Sequence, residues 1–233
     1  MIGSYVFGAF SLVFCLLFCW FRTKKASVYS LSLKTLASIC FVLCAIFAIK
    51  FMSENSFNLL IVAGLVMGLI GDIILDLKIM YPEQGNQYFV VGTTSFMIGH
   101  FFYFVAVLLY NSTILPTHLL WNILAALGFA IIMTVGTMLM SKKMGLNFGK
   151  MIYIVAAYCL VLNFMVGFSV AIAIFNPIFW IFAAGMILFL ASDLVLSMQY
   201  FGNATGKSFV WINHVLYYLA QICLAISLLF VVI

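Results

Sequence analysis

Residues 57–77 read FNLLIVAGLVMGLIGDIILDL, an apolar run whose second half carries two aspartates, Asp72 and Asp76. An α-helix rises 1.5 Å per residue, so about 20 apolar residues cross the hydrocarbon core of a bilayer. The run therefore has the length and composition of a transmembrane helix. Its aspartates predict ionisable groups inside the membrane, where charge is costly and usually serves a function.

Seven further apolar runs have the same length and character. They lie at residues 2–21, 31–50, 89–110, 117–139, 150–173, 178–201 and 209–232. Hydrophobic residues make up 67% of the 233-residue chain and charged residues only 6%, more apolar surface than a soluble domain of this size can bury. The sequence therefore predicts an all-α membrane protein of eight transmembrane helices, with residues 1–233 forming a single polytopic domain.

The basic residues concentrate in alternate connectors, those that follow the first, third, fifth and seventh predicted helices. They are Arg22, Lys24, Lys25, Lys78, Lys142, Lys143, Lys150 and Lys207. The positive-inside rule places these connectors in the cytoplasm and both termini on the non-cytoplasmic side. Because topology explains the net charge of +5, we expect no nucleic-acid partner. We expect the protein in the inner membrane of a bacterium, or in the endoplasmic reticulum if the source is eukaryotic.

Two segments in the first half of the chain resemble two segments in the second half. The pairs are residues 68–76 with 188–197, which place a small residue before an Asp, and residues 98–106 with 212–220, which share the pattern I-x-H-x-x-Y-x-x-A. A 4+4 parallel repeat, with halves 1–110 and 117–233, would produce both matches. Chance similarity among apolar segments is the alternative. Under the repeat, Asp72 and Asp193 face each other across a pseudo-twofold axis.

Polar side chains inside the predicted spans lie towards one side of the membrane. Counting helical rise places these groups within about 18 Å of the cytoplasmic ends of their helices, open toward the cytoplasmic half: Asp72, Asp76, His100, Asp193, His214, Tyr217 and Gln221. A charge at mid-bilayer costs about 2.5–3.5 kcal/mol on insertion scales, so such groups tend to face a bundle interior. The sequence predicts a polar cavity that is lined by the third, fourth, seventh and eighth helices and opens to the cytoplasm.

Metal binding is not indicated by the histidines or the cysteines. His118 is predicted at the outer side, over about 20 Å from His100 and His214 along the membrane normal, which argues against a three-histidine zinc site. Two histidines with an aspartate remain an alternative. All six cysteines lie inside predicted spans without metal-ligand spacing and are expected to be small packing residues. We expect no metal and no cofactor.

Four motifs along the chain are together typical of one family. They are Gly71-Asp72, Gly92-x-x-x-Phe96-x-x-x-His100-x-x-Tyr103, Gly185-x-x-x-Phe189-x-x-Ser192-Asp193 and Tyr217-Tyr218-x-Ala220-Gln221. In their order, spacing and helix count, they resemble the YhhN-type lysoplasmalogenase family of eight-helix membrane proteins. The resemblance implies hydrolysis of the vinyl-ether bond of lysoplasmalogens to a fatty aldehyde and glycerophosphoethanolamine or glycerophosphocholine.

This reaction needs two carboxyl groups in different states. A vinyl ether is protonated on its distal alkene carbon, and the resulting oxocarbenium ion takes up water, as in glycoside hydrolysis. One carboxyl group must therefore be protonated at neutral pH, and the other must be a carboxylate. Asp72 and Asp193 are the candidate catalytic pair, and the sequence leaves open which of them is the acid.

The remaining polar residues are candidates for binding a lysophospholipid in the bilayer. The substrate-binding set is His100, Tyr103, Asp76, Ser192, Tyr217, Gln221, Lys78 and Lys207, with the two lysines expected near the headgroup. A proton-coupled transporter of small molecules or lipids, or a lipid-binding membrane protein, is the alternative, because intramembrane Asp and His residues also form proton relays. The outer half carries no comparable groups to complete a transport pathway. The oligomeric state stays open.

Overall fold

The structure is a computed structural model that describes residues 1–49, 56–114, 116–202 and 204–231. Over these residues the chain forms eight α-helices and no β-strand. The helices are α1 (Ile2–Arg22), α2 (Val28–Ala48), α3 (Ser56–Met80), α4 (Gly85–Ile114), α5 (Pro116–Lys143), α6 (Ile152–Phe175), α7 (Trp180–Phe201) and α8 (Lys207–Ser227). Single turns of 3₁₀ helix lead into three of them, at Pro82–Gln84, Gly149–Met151 and Pro177–Phe179.

The eight-helix prediction is confirmed for the described ranges, because each of the eight helices is long and apolar enough to cross a membrane. These are the helices of an integral membrane protein. Which membrane holds it, and which side each terminus faces, stay predictions. The predicted apolar run of α2 starts at residue 31, a few residues inside the helix. The helix begins at Val28 because Ser27 and Ser30 form a capping box that satisfies its first backbone N–H groups.

Consecutive helices pack as four hairpins, α1–α2, α3–α4, α5–α6 and α7–α8. Helix α8 also packs on α1 and α2, α6 packs on α4 and α7, and α2 packs on α3. Helix α5 contacts mainly α6 and is the least buried of the eight. Exchanging the two halves of the chain converts the α2–α8 contact into the α6–α4 contact. This packing agrees with a 4+4 arrangement, although the repeat itself stays a prediction.

The α3–α4 hairpin depends on glycine at its closest contacts. A Cβ atom added at Gly64 would lie 2.2 Å from the ring of Tyr103, and one added at Gly71 would lie 2.7 Å from the ring of Phe96. Small residues let transmembrane helices approach closely, and dispersion contacts then stabilise the pair. This contact fixes α3, the helix that carries Asp72 and Asp76.

We therefore expect Gly64→Ala to lower the free energy of unfolding by about 1–3 kcal/mol, because the added methyl group forces Tyr103 or the helices apart. Gly136→Ala is the matched control, since a Cβ atom at Gly136 on α5 meets nothing within 4 Å. Thermal unfolding in detergent, followed by circular dichroism, compares the two variants. Equal melting temperatures for both would contradict this account of the α3–α4 contact.

Candidate active site

A cavity lies at one end of the bundle, where the connectors following α1, α3, α5 and α7 gather. We call this end the basic end. Asp72, Asp76, Asp193 and Tyr217 line the cavity together, as the sequence predicted. The predicted wall of four helices was too small, because α1, α2 and α6 also contribute polar side chains. These are Arg22, Lys34 and Tyr158.

Four charged side chains meet at the cavity wall, and we call them the charge tetrad: Arg22, Lys34, Asp72 and Asp76. Arg22 binds Asp76 through two hydrogen bonds, from Nη2 to Oδ1 at 2.8 Å and from Nη1 to Oδ2 at 3.2 Å. The Lys34 ammonium lies 3.4 Å from Asp72 Oδ1 and 3.5 Å from Asp76 Oδ1. None of the four side chains is more than 8% exposed. Two cations and two anions therefore compensate one another inside the bundle.

Asp72 receives two hydroxyl groups in addition to Lys34. Ser38 donates to Asp72 Oδ2 at 2.6 Å, and Tyr217 donates to the same oxygen at 2.9 Å. Gln221 in turn donates to the Tyr217 hydroxyl oxygen at 2.8 Å. An ammonium group and two hydroxyl donors are the partners of a carboxylate, so both oxygens of Asp72 are engaged as acceptors.

Tyr218 holds the helix turn that carries the lysine. Its hydroxyl group donates to the Lys34 carbonyl oxygen at 3.0 Å and lies 3.0 Å from Ser38 Oγ. Tyr218 is fully buried. It therefore holds the turn of α2 from which Lys34 and Ser38 reach Asp72.

Asp193 has a different environment on the other side of the cavity. Tyr158 donates a hydrogen bond to Asp193 Oδ2, and Ser192 Oγ lies 3.5 Å from Oδ1. Among the residues that the structure describes, no cation lies within 4 Å of its carboxyl group. The two aspartates of one cavity therefore differ in their partners. Among the described residues, a cation and hydroxyl groups surround Asp72, whereas the polar side-chain contacts of Asp193 are with hydroxyl groups.

Two predicted binding residues lie behind the cavity wall. The His100 ring is buried, and its Nδ1 donates to the Phe96 carbonyl oxygen at 2.7 Å. Its centroid is 6.1 Å from that of Tyr158, so it supports the side chain that holds Asp193. Tyr103 packs against Gly64 and does not line the cavity.

Of the other predicted binding residues, some form buried hydrogen bonds beside the cavity and others lie near the surface of the basic end. Ser192 is buried and donates to the Phe189 carbonyl oxygen at 2.7 Å, so its hydroxyl group is already engaged. Gln221 lies behind Tyr217. Lys207 is exposed at the start of α8, outside the cavity lining. Lys78 lines an adjoining pocket at the basic end.

The sequence analysis missed two residues that distinguish the environments of the two aspartates. Lys34 contacts Asp72, and Tyr158 contacts Asp193. The signal for Lys34 was its place in an apolar helix, where a lysine needs a partner. Tyr158 gave no signal, because tyrosine is common among apolar helix residues. The described part of the chain contains no cluster of three or more His, Cys, Asp or Glu side chains able to hold a metal ion.

Comparison with models of known protein families shows to which family the chain belongs. The model of the YhhN family matches residues 29–228, most of the chain. The chain belongs to the YhhN family. This confirms the resemblance drawn from the motifs. Searches of curated proteins and of solved structures find no significant match.

The YhhN match covers both sides of the cavity. Lys34, Asp72, Tyr158 and Asp193 all lie inside the matched segment, whereas Arg22 lies before it. The two unequal aspartate environments therefore belong to the part of the chain that defines its YhhN membership.

We expect Lys34→Met to destabilise this YhhN protein by about 3–5 kcal/mol, because it leaves two buried aspartates with one cation. The double variant Lys34→Met/Asp72→Asn removes one charge of each sign and should recover most of that loss. Thermal unfolding in detergent measures both. Lys207→Met, at an exposed position, is the control and should leave stability unchanged. A double variant no more stable than Lys34→Met would show that charge balance does not govern this site.

Proposed function

We propose that the cavity hydrolyses the vinyl-ether bond of a lysoplasmalogen, releasing a fatty aldehyde and glycerophosphoethanolamine or glycerophosphocholine. The observation that carries this proposal is the contrast between Asp72, paired with Lys34, and Asp193, which no cation contacts among the described residues. Hydrolysis through an oxocarbenium ion needs two such unequal carboxyl groups. The resemblance to YhhN-type lysoplasmalogenases supplies the substrate class.

In this proposal Asp193 is the general acid. Burial without a cation favours the neutral form of a carboxyl group, since an isolated charge is costly in an apolar environment. Protonated Asp193 transfers its proton to the distal alkene carbon, and the electrons of the double bond form the new C–H bond. The Tyr158 hydroxyl group then stabilises the carboxylate that remains.

Asp72 is the carboxylate that stabilises the oxocarbenium ion and activates water. Water adds to the carbon attached to oxygen while its proton passes to Asp72, which gives a hemiacetal. The hemiacetal hydroxyl proton then returns to Asp193, and the proton on Asp72 passes to the departing glycerol oxygen. This step releases the aldehyde and the alcohol and restores both carboxyl groups. Tyr217 and Gln221 orient Asp72 throughout.

The cavity lining suits a lipid whose polar end remains at the basic end. Apolar side chains make up much of the wall; they include Leu75, Phe96, Val155, Leu162, Leu190 and Leu194. An alkenyl chain would pack against these side chains, and the lysines of the basic end would face the phosphate group.

Aromatic packing at the opposite end of the bundle argues against the transporter alternative. The ring of Phe57 lies 5.5 Å from that of Tyr110 and 5.9 Å from that of Phe179, and the last two lie 5.3 Å apart. These rings are buried at the ends of α3, α4 and α7 remote from the cavity. Aromatic side chains therefore fill the space between these helix ends, and this favours a reaction site over a pathway.

We expect Asp193→Asn and Asp72→Asn each to lower aldehyde release by at least about 100-fold, because each removes a group that transfers protons in the reaction. Purified protein in detergent is incubated with a lysoplasmalogen, and the aldehyde is measured by mass spectrometry. Glu83→Gln, an exposed acid in a connector, is the matched control and should retain activity.

The charge-balanced variant Lys34→Met/Asp72→Asn distinguishes loss of a catalytic group from unfolding. We expect it to be stable and still inactive. Retained turnover in either single aspartate variant would refute the catalytic pair.

Tyr158→Phe should lower kcat by about ten- to a hundred-fold with little change in KM. It removes one hydrogen bond to the developing Asp193 carboxylate, and bonds to charged groups contribute about 1.5–3 kcal/mol. Steady-state aldehyde release measures both constants. Tyr153→Phe, on the same helix and 85% exposed, should behave as wild type. An unchanged kcat in Tyr158→Phe would contradict the proposed role of Tyr158 in stabilising the Asp193 carboxylate.

A further inference from the structure

Three aromatic rings surround the ammonium group of Lys78 at the basic end. Its Nζ lies 3.9 Å from the ring centroid of Tyr200, 4.7 Å from that of Phe89 and 5.7 Å from that of Phe201. We call these three rings the aromatic cage. The negative faces of aromatic rings attract cations, most strongly where water is excluded, and such cages bind alkylammonium ligands.

Lys78 differs from Lys34 because it has no ionic partner among the described residues. Lys34 contacts two carboxylates, whereas no carboxylate of the described residues lies within 4 Å of Lys78 Nζ. Among the described residues, the Lys78 ammonium contacts three rings and no carboxylate, and it lies at the end of a flexible four-carbon side chain. A ligand that offers an anion to Lys78 can therefore draw it away from the cage.

The aromatic cage stands between two spaces. All three of its rings line the cavity that contains the aspartates, and all three also line the adjoining pocket. The side-chain nitrogen donors of that pocket are two ammonium groups and two amide groups, from Lys78, Lys150, Asn86 and Asn147. These donors suit a phosphate group.

We propose that the aromatic cage is the subsite for the ammonium group of a zwitterionic lysophospholipid, and that Lys78 occupies it until the lipid binds. The phosphate of the arriving headgroup draws Lys78 out of the cage, and the ethanolamine or choline ammonium group takes its place. This inference rests on the proposed function for its lipid class. Two carbons join the phosphate and the ammonium group of such headgroups, so a phosphate in the adjoining pocket sets the ammonium group against the rings.

The exchange favours zwitterionic headgroups over purely anionic ones. A lipid that ends in a phosphate group also attracts Lys78, but it leaves the aromatic cage without a cation. A phosphocholine or phosphoethanolamine lipid satisfies Lys78 and fills the aromatic cage again. Selectivity therefore arises from the rings, whereas affinity for both lipid types arises from the lysines.

Binding of two uncleavable lipids to the purified protein tests this proposal. A 1-O-alkyl glycerophosphocholine and a 1-O-alkylglycerol phosphate contain a saturated ether in place of the vinyl ether, so no reaction follows binding. Isothermal titration calorimetry in detergent gives the ratio of their two Kd values. We expect wild type to favour the choline lipid by about three- to thirty-fold, in line with cation–π contacts.

Three variants decide the origin of the ratio. Tyr200→Leu should bring it close to one, whereas Tyr200→Phe keeps the ring and should retain it. Lys78→Met should weaken binding of both lipids yet raise the ratio, because the competing cation is gone. A wild-type ratio near one would overturn the proposal, and so would a ratio unaffected by Tyr200→Leu.

The outcome is distinguishable from a failure of the proposed reaction. If aldehyde release is absent but the ratio of Kd values is as expected, the proposed reaction is contradicted and the aromatic cage is not. If the enzyme is active but the two lipids bind equally well, the aromatic cage is contradicted and the reaction is not. If Tyr200→Leu does not fold, Lys78→Met tests the proposal instead. A ratio of Kd values that fails to rise in Lys78→Met would contradict the exchange of Lys78 for the lipid ammonium group.

Discussion

The charge tetrad is the constraint on which the rest of the site depends. Removing an ion from water costs several kcal/mol even in a relaxed protein, so two cations and two anions persist in an apolar bundle only as mutual partners. Their side chains come from α1, α2 and α3. The ion pairs therefore hold these three helices in one relative position at the basic end. Tyr217 of α8 then reaches Asp72 and ties the last helix to the same network.

Chemical asymmetry follows from this network. Asp72 and Asp193 occupy corresponding places in the predicted repeat, yet Lys34 of α2 contacts the first and Tyr158 of α6 contacts the second. Different residues on α2 and α6 therefore help to give the two carboxyl groups different partners. Oxocarbenium chemistry requires such a difference, because one group must donate a proton while the other bears charge.

Eight helices and one polar end could be predicted from the sequence because run length, basic connectors and helical rise report on single helices and their orientation. The same reasoning brought Asp72, Asp193 and Tyr217 to one cavity. Contacts between helices could not be predicted by this reasoning. His100 and Tyr103 share a face of α4, but periodicity does not reveal that α6 and α3 cover that face. The role of Lys34 likewise depends on packing among α1, α2 and α3.

The proposed reaction requires that Asp193 is neutral and that Asp72 is a carboxylate in the resting protein at neutral pH. Infrared spectroscopy of the purified protein tests it most directly, because a protonated carboxyl group has its own C=O stretching band. The account predicts that this band is present in wild type and in Asp72→Asn and is lost in Asp193→Asn. A band that survives in Asp193→Asn and disappears in Asp72→Asn would contradict it.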